Sequence, residues 1–531
     1  MSSIYGLYGP ASHDSAVSLI IDGKIVSSIE EERITRIKSG NNFFSIPEQS
    51  LRAVEEFSGL KVQEADHCVF SAFEPNKFIS DTIKRDYEVY DHHHCHAAGA
   101  YYTSGMSGKT LTITMDGGGV DNAYTIYLCE DGDMVRVHSD KWSTSGQLSQ
   151  VWGYSLHGIH EPKENGEFVW KMCKDEGKLM GMAPDGEFDA RIYKFLKQIV
   201  NYKDLEFYPT DTIGRTRFVT EVMRRNGWFD TNQKIANFAH TLQVWTEELF
   251  LKFLSDVHTR YPSYTKVALA GGLFANVKLN QKINQLDWVD EIYIYPAMGD
   301  NGLSLGAAIL KCRELGEGFL TPERFDNVHF GLNYTNSQVW DMSKKWDLKI
   351  KPYNSSDIGS ALNDGQIIGW FKGGFEYGPR ALGARSILVR PTDVSTHKVL
   401  NERLKRYDTM PFAPMVMSEH FDKIFVETKS KYTAEFMTLC YDTRDEWIDK
   451  IPAVIQKSDK TARPQIVRKD KLPKVWEVMN EYYKLSGIPV VLNTSFNAHN
   501  EPIINSPDEA FVHLKNGIID QLVIEDYVYF R

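Results

Sequence analysis

The chain has 531 residues, of which 42% are hydrophobic and 25% charged, and its formal net charge at pH 7 is −11. A chain of this length exceeds one ordinary hydrophobic core, so we expect two or more domains. The negative balance disfavours a broad nucleic-acid-binding face, although a local basic pocket stays open. Six scattered cysteines without a CxxC pair favour a reducing compartment and disfavour a zinc finger. The chain shows no signal-peptide pattern and no apolar run near the roughly 20 residues of a membrane helix, so we expect a cytoplasmic protein without a membrane partner.

The first predicted elements form a β-hairpin. A strand over residues 3–10 is followed by a strand at Ala16–Ile21, an Asp-Gly turn and a returning strand at Lys24–Ile29, after which the chain is densely charged. The same order recurs as a strand at Thr110–Met115, a glycine-rich turn and a strand at Ala123–Leu128. Two openings of one type indicate two related half-domains, or two layers of one domain.

Four of the 16 histidines fall in one five-residue window, HHHCH. On a helix, His92 and His96 would project from one face and offer two imidazole ligands to one cation. Asp116 and Asp300, each beside glycines, are candidate oxygen ligands. Such mixed ligation suits Fe(II), Mn(II) or Zn(II) better than Mg(II). A solvated histidine-rich turn is the alternative for the cluster alone, and the intervening histidines are equally well explained as surface or supporting residues.

Three glycine turns predict a nucleotide site. They are Asp116–Gly119, Gly271-Gly272 and Gly299–Gly302. A short strand at Val267–Leu269 precedes the second turn and a helix at Leu273–Ile283 follows it, the arrangement in which backbone N–H groups meet a phosphate. Each turn alone is typical of an ordinary tight turn, and the chain has neither a Walker A sequence nor GxGxxG.

The composition changes around residues 340–360, which are polar and rich in turn formers. A helix is predicted at Ile358–Asn363 and a strand at Gln366–Phe371. We therefore place a domain boundary near residue 355, giving domains 1–355 and 356–531.

A second cluster of candidate residues follows residue 370. Arg380 and Arg385 are embedded among glycines in KGGFEYGPRALGARS, where a tight backbone would present guanidinium forks to phosphate or carbamoyl oxygens. Lys405, Arg406 and Arg463 add cationic candidates, and NTSFN adds short neutral donors after a predicted strand. The pattern predicts an anion-binding site, with a surface rich in salt bridges as the alternative.

Seven motifs follow one another nearly from end to end of the chain: HHxxHA (92–97), DGGG (116–119), AGGLFANVKLN (270–280), EYGPRALGARSIL (376–388), PFAP (411–414), TARPQ (461–465) and NTSFN (493–497). Together they resemble the O-carbamoyltransferases, a family that includes nodulation-factor and antibiotic-tailoring enzymes such as the tobramycin carbamoyltransferase. Many members have an arginine where this chain has Met410.

The resemblance implies an α/β protein of two domains. The N-terminal domain would be an actin-like ATPase-type fold, similar to the tRNA threonylcarbamoyl-transfer protein, and the C-terminal domain would be YrdC-like. It also implies an ATP-dependent O-carbamoyltransferase. The C-terminal domain would make carbamoyladenylate from carbamoyl phosphate and ATP, with Mg(II), and release pyrophosphate. The N-terminal domain, holding iron or another divalent metal, would pass the carbamoyl group to an acceptor hydroxyl and release AMP.

The resemblance assigns residues to these steps. His92, His96, Asp116 and Asp300 would hold the metal. Asp116, Gly117, Gly118, Gly271, Gly272 and Asn276 would bind the nucleotide. His13, Asp14 and Lys38 would lie at the transfer reaction, with His13 as the candidate base or, alternatively, a hydrogen-bonded turn residue. Arg380, Arg385, Lys405, Arg463, Ser495 and Asn497 would bind carbamoyl phosphate and ATP.

The acceptor is open between a natural-product or sugar hydroxyl, which is the commonest in the family, and a hydroxymethylated pyrimidine nucleotide or DNA. An aromatic acceptor pocket and plain core are alternative explanations of Trp142, Trp152, Tyr154, His157, His160 and Trp170. A tRNA threonylcarbamoyl-transfer-like enzyme and a nucleotide-gated actin-type scaffold are the other functional hypotheses. A homodimer is among the expected states.

Overall fold

The computed structural model describes residues 2–9, 13–39, 46–71, 77–117, 122–140, 151–153, 155–156, 175–209, 216–405, 412–426, 429–498 and 500–531. Within these ranges the protein is a mixed α/β structure, as predicted, built on two five-stranded sheets and one eight-stranded sheet. No helix in the described ranges has the length and apolar character needed to cross a membrane.

The first sheet contains β1 (Ser3–Tyr8), β2 (Ala16–Ile21), β3 (Lys24–Glu30), β4 (His67–Ser71) and β5 (Glu88–Tyr90), in the order β3-β2-β1-β4-β5. The first three strands are antiparallel, and β4 and β5 join in parallel. The predicted Asp-Gly turn connects β2 to β3, and both turn residues have positive φ, at 52° and 74°, as a tight hairpin turn requires.

The second sheet repeats this topology. It contains β6 (Thr110–Met115), β7 (Tyr124–Glu130), β8 (Asp133–Ser139), β11 (Lys266–Ala270) and β12 (Glu291–Ile294), in the order β12-β11-β6-β7-β8. Its first three strands are again antiparallel and its last two parallel. The repeated hairpin therefore belongs to two sheets of the same topology. A separate hairpin lies between them in the chain, formed by β9 (Val200–Lys203) and β10 (Glu206–Pro209).

The helices of the N-terminal region are α1 (Glu31–Thr35), α2 (Glu48–Ser58), α3 (Lys77–Ile83), α4 (His92–Tyr102), α5 (Glu176–Met182), α6 (Ala190–Leu196), α7 (Thr216–Arg225), α8 (Asn232–Arg260), α9 (Val277–Asn284) and α10 (Leu303–Glu314). Helices α4 and α10 pack against each other between the two sheets. Glycine makes this possible, because a Cβ on Gly306 would lie 2.1 Å from the Cys95 carbonyl oxygen and one on Gly6 would lie 2.1 Å from that of Ser304. The histidine-bearing helix is thus held in the interior.

The third sheet contains β13 (Lys349–Pro352), β14 (Ile368–Phe371), β15 (Arg385–Val389), β16 (Ala413–Met417), β19 (Gln465–Val467), β20 (Val490–Ser495), β21 (Gln521–Ile524) and β22 (Tyr527–Phe530). Its order is β13-β22-β21-β14-β15-β20-β16-β19, with β17 (Tyr441–Asp442) and β18 (Thr461–Ala462) forming a small separate pair. Strand β13 pairs with the last strand of the chain, so this sheet begins a few residues before the predicted boundary at 355.

The remaining helices follow residue 335 in the chain. They are α11 (Asn336–Ser343), α12 (Ser355–Asn363), α13 (Ser395–Leu404), α14 (Phe421–Ile424), α15 (Lys431–Ala434), α16 (Asp445–Ile448), α17 (Pro473–Ser486) and α18 (Pro507–Lys515). Helices α12 and α17 pack together over a buried cluster that includes Trp370, Leu388 and Val491 from three adjacent strands. The segment between β14 and β15, residues 372–384, carries the arginine-glycine motif and leaves the sheet toward the N-terminal half.

Candidate active site

The four predicted metal ligands come together. His92 and His96 lie one turn apart on α4, Asp116 follows β6, and Asp300 begins the turn before α10. One ligand atom from each lies within 4.8 Å of all the others. The His96 Nε2 atom is 3.5 Å from Asp116 Oδ2 and 3.5 Å from Asp300 Oδ1, and His92 Nε2 is 3.6 Å from the same Asp300 oxygen.

This donor set fits a divalent cation. The Nε2 atoms of His92 and His96 and the Oδ1 atom of Asp300 are buried and have no hydrogen-bond partner among the described residues. Ligands about 2.1 Å from a tetrahedrally coordinated ion would lie about 3.4 Å from one another, close to the separations observed here. The arrangement is therefore that of a site in which one ion would replace the missing hydrogen bonds.

The electrostatics of the four side chains also call for a cation. Burial lowers the pKa of His96, but its contacts with Asp116 and Asp300 outweigh burial and raise that pKa to about 9. Burial also acts against ionisation of Asp116, yet His96 keeps the pKa of this carboxyl below its ordinary value. Without a metal, a proton on His96 would balance the two carboxylates, so a metal would compete with that proton.

Neighbouring groups fix the ligands. The Tyr8 hydroxyl donates to Asp300 Oδ2 at 2.6 Å, and Asp116 accepts the backbone N–H groups of Gly117 and Gly272 through its two oxygens. The His93 ring contacts Thr114 Oγ1 at 2.8 Å and the Asn122 carbonyl at 3.2 Å, and the residue is buried, so it is not at the surface.

The glycine turns meet at Asp116. Gly271 has φ +105°, and a Cβ there would lie 2.1 Å from the Met115 carbonyl oxygen, so only glycine fits this approach. The next N–H, that of Gly272, points at the Asp116 carboxylate. The turns after β6 and β11 are consequently joined at Asp116, one of the predicted metal ligands, although Gly118 lies outside the described residues.

Asn276 is held by other protein groups. Its Oδ1 atom caps α9 by accepting the Leu279 N–H at 3.0 Å, and its amide pairs with Gln243 through bonds of 2.9 and 3.2 Å. Its predicted contact with adenosine stays a prediction.

The residues predicted at the transfer reaction are His13, Asp14 and Lys38. His13 Nδ1 is 2.9 Å from Asp14 Oδ2, and both side chains are partly exposed. Asp14 has φ +64°, an unusual backbone conformation for a non-glycine residue. Burial and Asp116 raise the pKa of Asp300, but the larger combined effect of His92, His96 and His13 leaves this pKa below its ordinary value. His13 is therefore within electrostatic range of the predicted ligands. Lys38 follows α1 in a half-buried position.

The arginine-glycine segment is organised by a residue that sequence analysis missed. Glu376 is fully buried, and its Oε1 atom accepts the N–H groups of Leu382, Ala384 and Arg385 at 2.7, 2.7 and 2.9 Å. Burial raises the pKa of Glu376, but His329 and these N–H groups hold it below its ordinary value, so the carboxylate stays ionised. The sequence offered one indication of this role, since Glu376 is the one acidic residue in the glycine-rich segment 372–386.

Two other motifs converge on the same segment. Gln465, from TARPQ, donates to the Leu382 carbonyl at 2.9 Å. Asn493, from NTSFN, donates to the Ala381 carbonyl at 2.8 Å and to Gln465 Oε1 at 3.0 Å. Motifs about 80 and 110 residues away in sequence thus surround one loop.

Arg380 and Arg463 form the cationic part of this site. Both side chains are half-buried, and their Nε atoms are buried without a hydrogen-bond partner among the described residues. Burial lowers the pKa of Arg380 and the nearby Arg463 lowers it further. Two neighbouring guanidiniums that make no ion pair with a described carboxylate are what an anion-binding site requires.

The other predicted anion ligands differ in setting. Arg385 is fully buried, with its guanidinium carbon 3.4 Å from the Phe371 ring centroid, and burial lowers its pKa to about 10. Ser495 pairs across the sheet with Ser386 beside it, and the Asn497 amide donates to the Ala498 and Glu501 carbonyls. Lys405 ends α13 with φ +55° and is exposed, while Arg406 lies outside the described residues.

Comparison with known proteins identifies the family. Residues 76–309 match the family described as Carbamoyltransferase N-terminus, and residues 359–531 match Carbamoyltransferase C-terminus. The chain belongs to the carbamoyltransferase family. The predicted resemblance and the prediction of a transferase are thereby confirmed.

Several relatives of this carbamoyltransferase can be compared over most of their length. An uncharacterized protein of Methanocaldococcus jannaschii is 31% identical over 474 residues, which cover 85% of this chain and 75% of that protein. Nodulation protein NolO of Bradyrhizobium diazoefficiens is 30% identical over 446 residues, covering 82% and 78%. The 3'-hydroxymethylcephem-O-carbamoyltransferase of Amycolatopsis lactamdurans is 28% identical over 361 residues, covering 67% and 65%.

Solved structures resemble this carbamoyltransferase only weakly. Full-length HypF in a phosphate- and nucleotide-bound form has a TM-score of 0.37 at 14% identity, covering 59% of this chain and 46% of that one. A ROK hexokinase from Thermus thermophilus has a TM-score of 0.30 at 13% identity, covering 60% and 100%. Likeness at this level supports no conclusion, so the actin-like and YrdC-like assignments stay predictions.

One aromatic candidate for the acceptor pocket can be placed. Trp152 is buried, and its indole N–H donates to Thr246 Oγ1 at 3.2 Å on α8, as a core residue would. The other five candidates, Trp142, Tyr154, His157, His160 and Trp170, lie outside the described residues.

Proposed function

We propose that this carbamoyltransferase is an ATP-dependent O-carbamoyltransferase that works in two half-reactions at two sites. The observation that carries the proposal is the presence of a cluster suited to a cation in one half of the chain and a cluster suited to an anion in the other half. Two aspartates and two histidines would form a cation site beside glycine turns, and two arginines that pair with no described carboxylate would form an anion site in the other half of the chain. The first half lies within residues 1–355 and is actin-like; the second lies within 356–531 and is YrdC-like.

The C-terminal site would form carbamoyladenylate. Water would first hydrolyse carbamoyl phosphate to carbamate and phosphate. A carbamate oxygen would then attack the α-phosphorus of ATP, and pyrophosphate would leave. Arg380 and Arg463 would bind the phosphate oxygens, and Mg(II) would accompany ATP. Ionised Glu376 holds the loop that carries Arg380, because three of the loop's N–H groups converge on it.

The N-terminal site would transfer the carbamoyl group. The acceptor hydroxyl attacks the carbamoyl carbon, the bond to the AMP phosphate oxygen breaks, and AMP leaves. A metal held by the four ligands would neutralise the AMP phosphate. The Gly272 region lies against Asp116, where a phosphate would bind. His13, oriented by Asp14, would take the hydroxyl proton.

The acceptor would be a small molecule with a hydroxyl group, with a natural product or sugar favoured over a hydroxymethylated pyrimidine. Membership of the carbamoyltransferase family favours carbamoyl over threonylcarbamoyl transfer and sets the non-enzymatic scaffold aside.

The two half-reactions can be tested separately. With [14C]carbamoyl phosphate and ATP, we expect Arg463→Ala to lose carbamoyladenylate formation. Asp300→Asn should retain it and lose only transfer to a panel of sugar and hydroxymethylpyrimidine acceptors. Loss of adenylate formation in Asp300→Asn, with Arg463→Ala active, would contradict this division of labour.

A further inference from the structure

A buried ion pair lies between the two proposed sites. Glu30 ends β3 and Arg33 lies in α1; their side chains are 4% and 0% exposed. Arg33 Nε donates to Glu30 Oε2 at 2.8 Å. A buried pair of this kind contributes little net stability, because desolvation offsets the attraction, and it is better suited to fixing the positions of its partners.

On one side the pair binds the turn that carries a metal ligand. Asn301, which directly follows Asp300, donates from Nδ2 to Glu30 Oε1 at 2.8 Å. The Asn301 carbonyl accepts the Tyr377 hydroxyl at 2.6 Å. A movement of the Asp300 carboxylate toward a bound ion would therefore shift Asn301 and change its hydrogen bonds to Glu30 and Tyr377.

On the other side the pair binds the loop that carries Arg380. The same oxygen, Glu30 Oε1, accepts the Gly378 N–H at 2.6 Å, and Arg33 donates from Nη2 to the Gly378 carbonyl at 2.7 Å. Gly378 has φ +103° and lies two residues before Arg380. Both backbone groups of this residue are thus held by one ion pair.

We propose that Glu30 and Arg33 are positioning residues that couple the metal site to the anion site. One carboxylate oxygen receives an N–H from each site, so ordering of the Asp300-Asn301 turn by a metal also orders the backbone before Arg380. Metal binding should then strengthen carbamoyl phosphate binding, and the reverse must hold to the same extent. This inference rests on the proposed function, since it assigns carbamoyl phosphate to the arginine site.

A second link between the same regions provides a matched control. Arg36, one turn further along, donates to the Ile503 and Pro502 carbonyls at 2.7 and 2.8 Å and forms an ion pair with Glu509. It joins the two halves of the chain without an observed bond to the metal-ligand turn. Arg36→Lys should weaken the docking of the two halves and leave the coupling in place.

The test is the dissociation constant of carbamoyl phosphate, measured by isothermal titration calorimetry on the full chain, metal-free and loaded with Mn(II). In the wild-type protein we expect metal to lower this constant at least about fivefold. In Glu30→Gln, the new amide nitrogen must face either the Arg33 Nε–H or the Asn301 and Gly378 donors, so one side of the link is lost. We therefore expect a ratio near one with Mn(II) still bound at the wild-type stoichiometry. Tyr377→Phe, which removes only the hydroxyl bonded to Asn301, should reduce the ratio even if Glu30→Gln fails to fold. His92→Ala controls for Mn(II) binding to the ligand in solution.

The outcomes separate this inference from the proposed function. No carbamoyl phosphate binding to folded wild-type protein in either state would sink both. Binding that is equal with and without metal would overturn the coupling and leave the proposed function standing. A ratio unchanged in Glu30→Gln or in Tyr377→Phe, or lost equally in Arg36→Lys, would overturn the role given to the ion pair.

Discussion

Removal of the Glu376 carboxylate should disrupt the anion-binding loop. In Glu376→Ala, three N–H groups now bonded at 2.7, 2.7 and 2.9 Å would lose their acceptor inside the protein. A buried donor without a partner costs about 1–3 kcal/mol, and water entering the vacated space would recover part of that cost. We therefore expect the free energy of unfolding to fall by about 3–5 kcal/mol, and carbamoyl-phosphate-dependent pyrophosphate release to be lost.

Glu376→Gln is the conservative counterpart. It keeps an oxygen for the three donors, and its amide nitrogen would occupy the place of Oε2, which has no hydrogen-bond partner among the described residues. Only the charge is lost, so we expect a smaller destabilisation of about 1–2 kcal/mol. Glu477, which is partly exposed and pairs with Lys474 on α17, is the matched control, and Glu477→Gln should change stability by less than about 0.5 kcal/mol.

The pH dependence of unfolding tests the same bonds. The pKa of Glu376 is lowered in the folded protein, so its contribution is present above the unfolded-state pKa and disappears as pH falls through the folded-state pKa. Urea unfolding at pH 7 and pH 4 should show a wild-type advantage over Glu376→Gln that shrinks at the lower pH. An advantage that is constant with pH, or Glu376→Ala as stable as wild type, would refute the reasoning.

Three further substitutions address the two sites. His92→Ala should reduce bound metal from about one ion per chain to near zero by elemental analysis while pyrophosphate release persists; retention of metal would contradict the ligand assignment. Arg380→Ala should raise the KM for carbamoyl phosphate more than about tenfold without lowering the melting temperature, because a half-buried guanidinium that pairs with no described carboxylate does not stabilise the fold; an unchanged KM would refute its role. Gly271→Ala should destabilise the protein by more than about 2 kcal/mol, because its Cβ would lie 2.1 Å from the Met115 carbonyl oxygen. Gly59 is the control: it also has positive φ, but a Cβ there would have no atom within 4 Å, so Gly59→Ala should cost only about 1 kcal/mol. Equal costs of the two substitutions in thermal unfolding would contradict the contact.

Local chemistry made much of the fold predictable. The Asp-Gly turn before Lys24 and the strand, glycine turn and helix around Gly271 depend on neighbours in sequence. Both occur, although the α-helix predicted from Leu273 begins at Val277, after a 3-10 turn at Gly272–Ala275. The paired histidines lie on the predicted helix, which Asp91 caps by accepting the His94 N–H and which continues through Ala97 and Ala98. Asp116 and Asp300 were predicted as ligands from their glycine-rich settings, and the family resemblance assigned them to the same metal; the structure brings them together from turns about 180 residues apart.

The residues that escaped prediction are those whose partners are distant backbone groups. Glu30 and Arg33 belong to a charged run that is typical of a solvated helix start, yet they are buried against Gly378, about 350 residues away. Strand β13 also escaped prediction, because its position at the edge of the third sheet depends on pairing with β22 at the end of the chain. Burial of a charge can be recognised only when the elements that enclose it are known.

Pyrophosphate release from ATP, with and without carbamoyl phosphate and with no acceptor present, tests the central claim most directly. The two-site mechanism predicts release that depends on carbamoyl phosphate, is supported by Mg(II) and disappears in Arg463→Ala. Folded protein supplied with Fe(II) and Mg(II) that releases no pyrophosphate, or releases it equally without carbamoyl phosphate, would contradict the claim that the C-terminal half forms carbamoyladenylate.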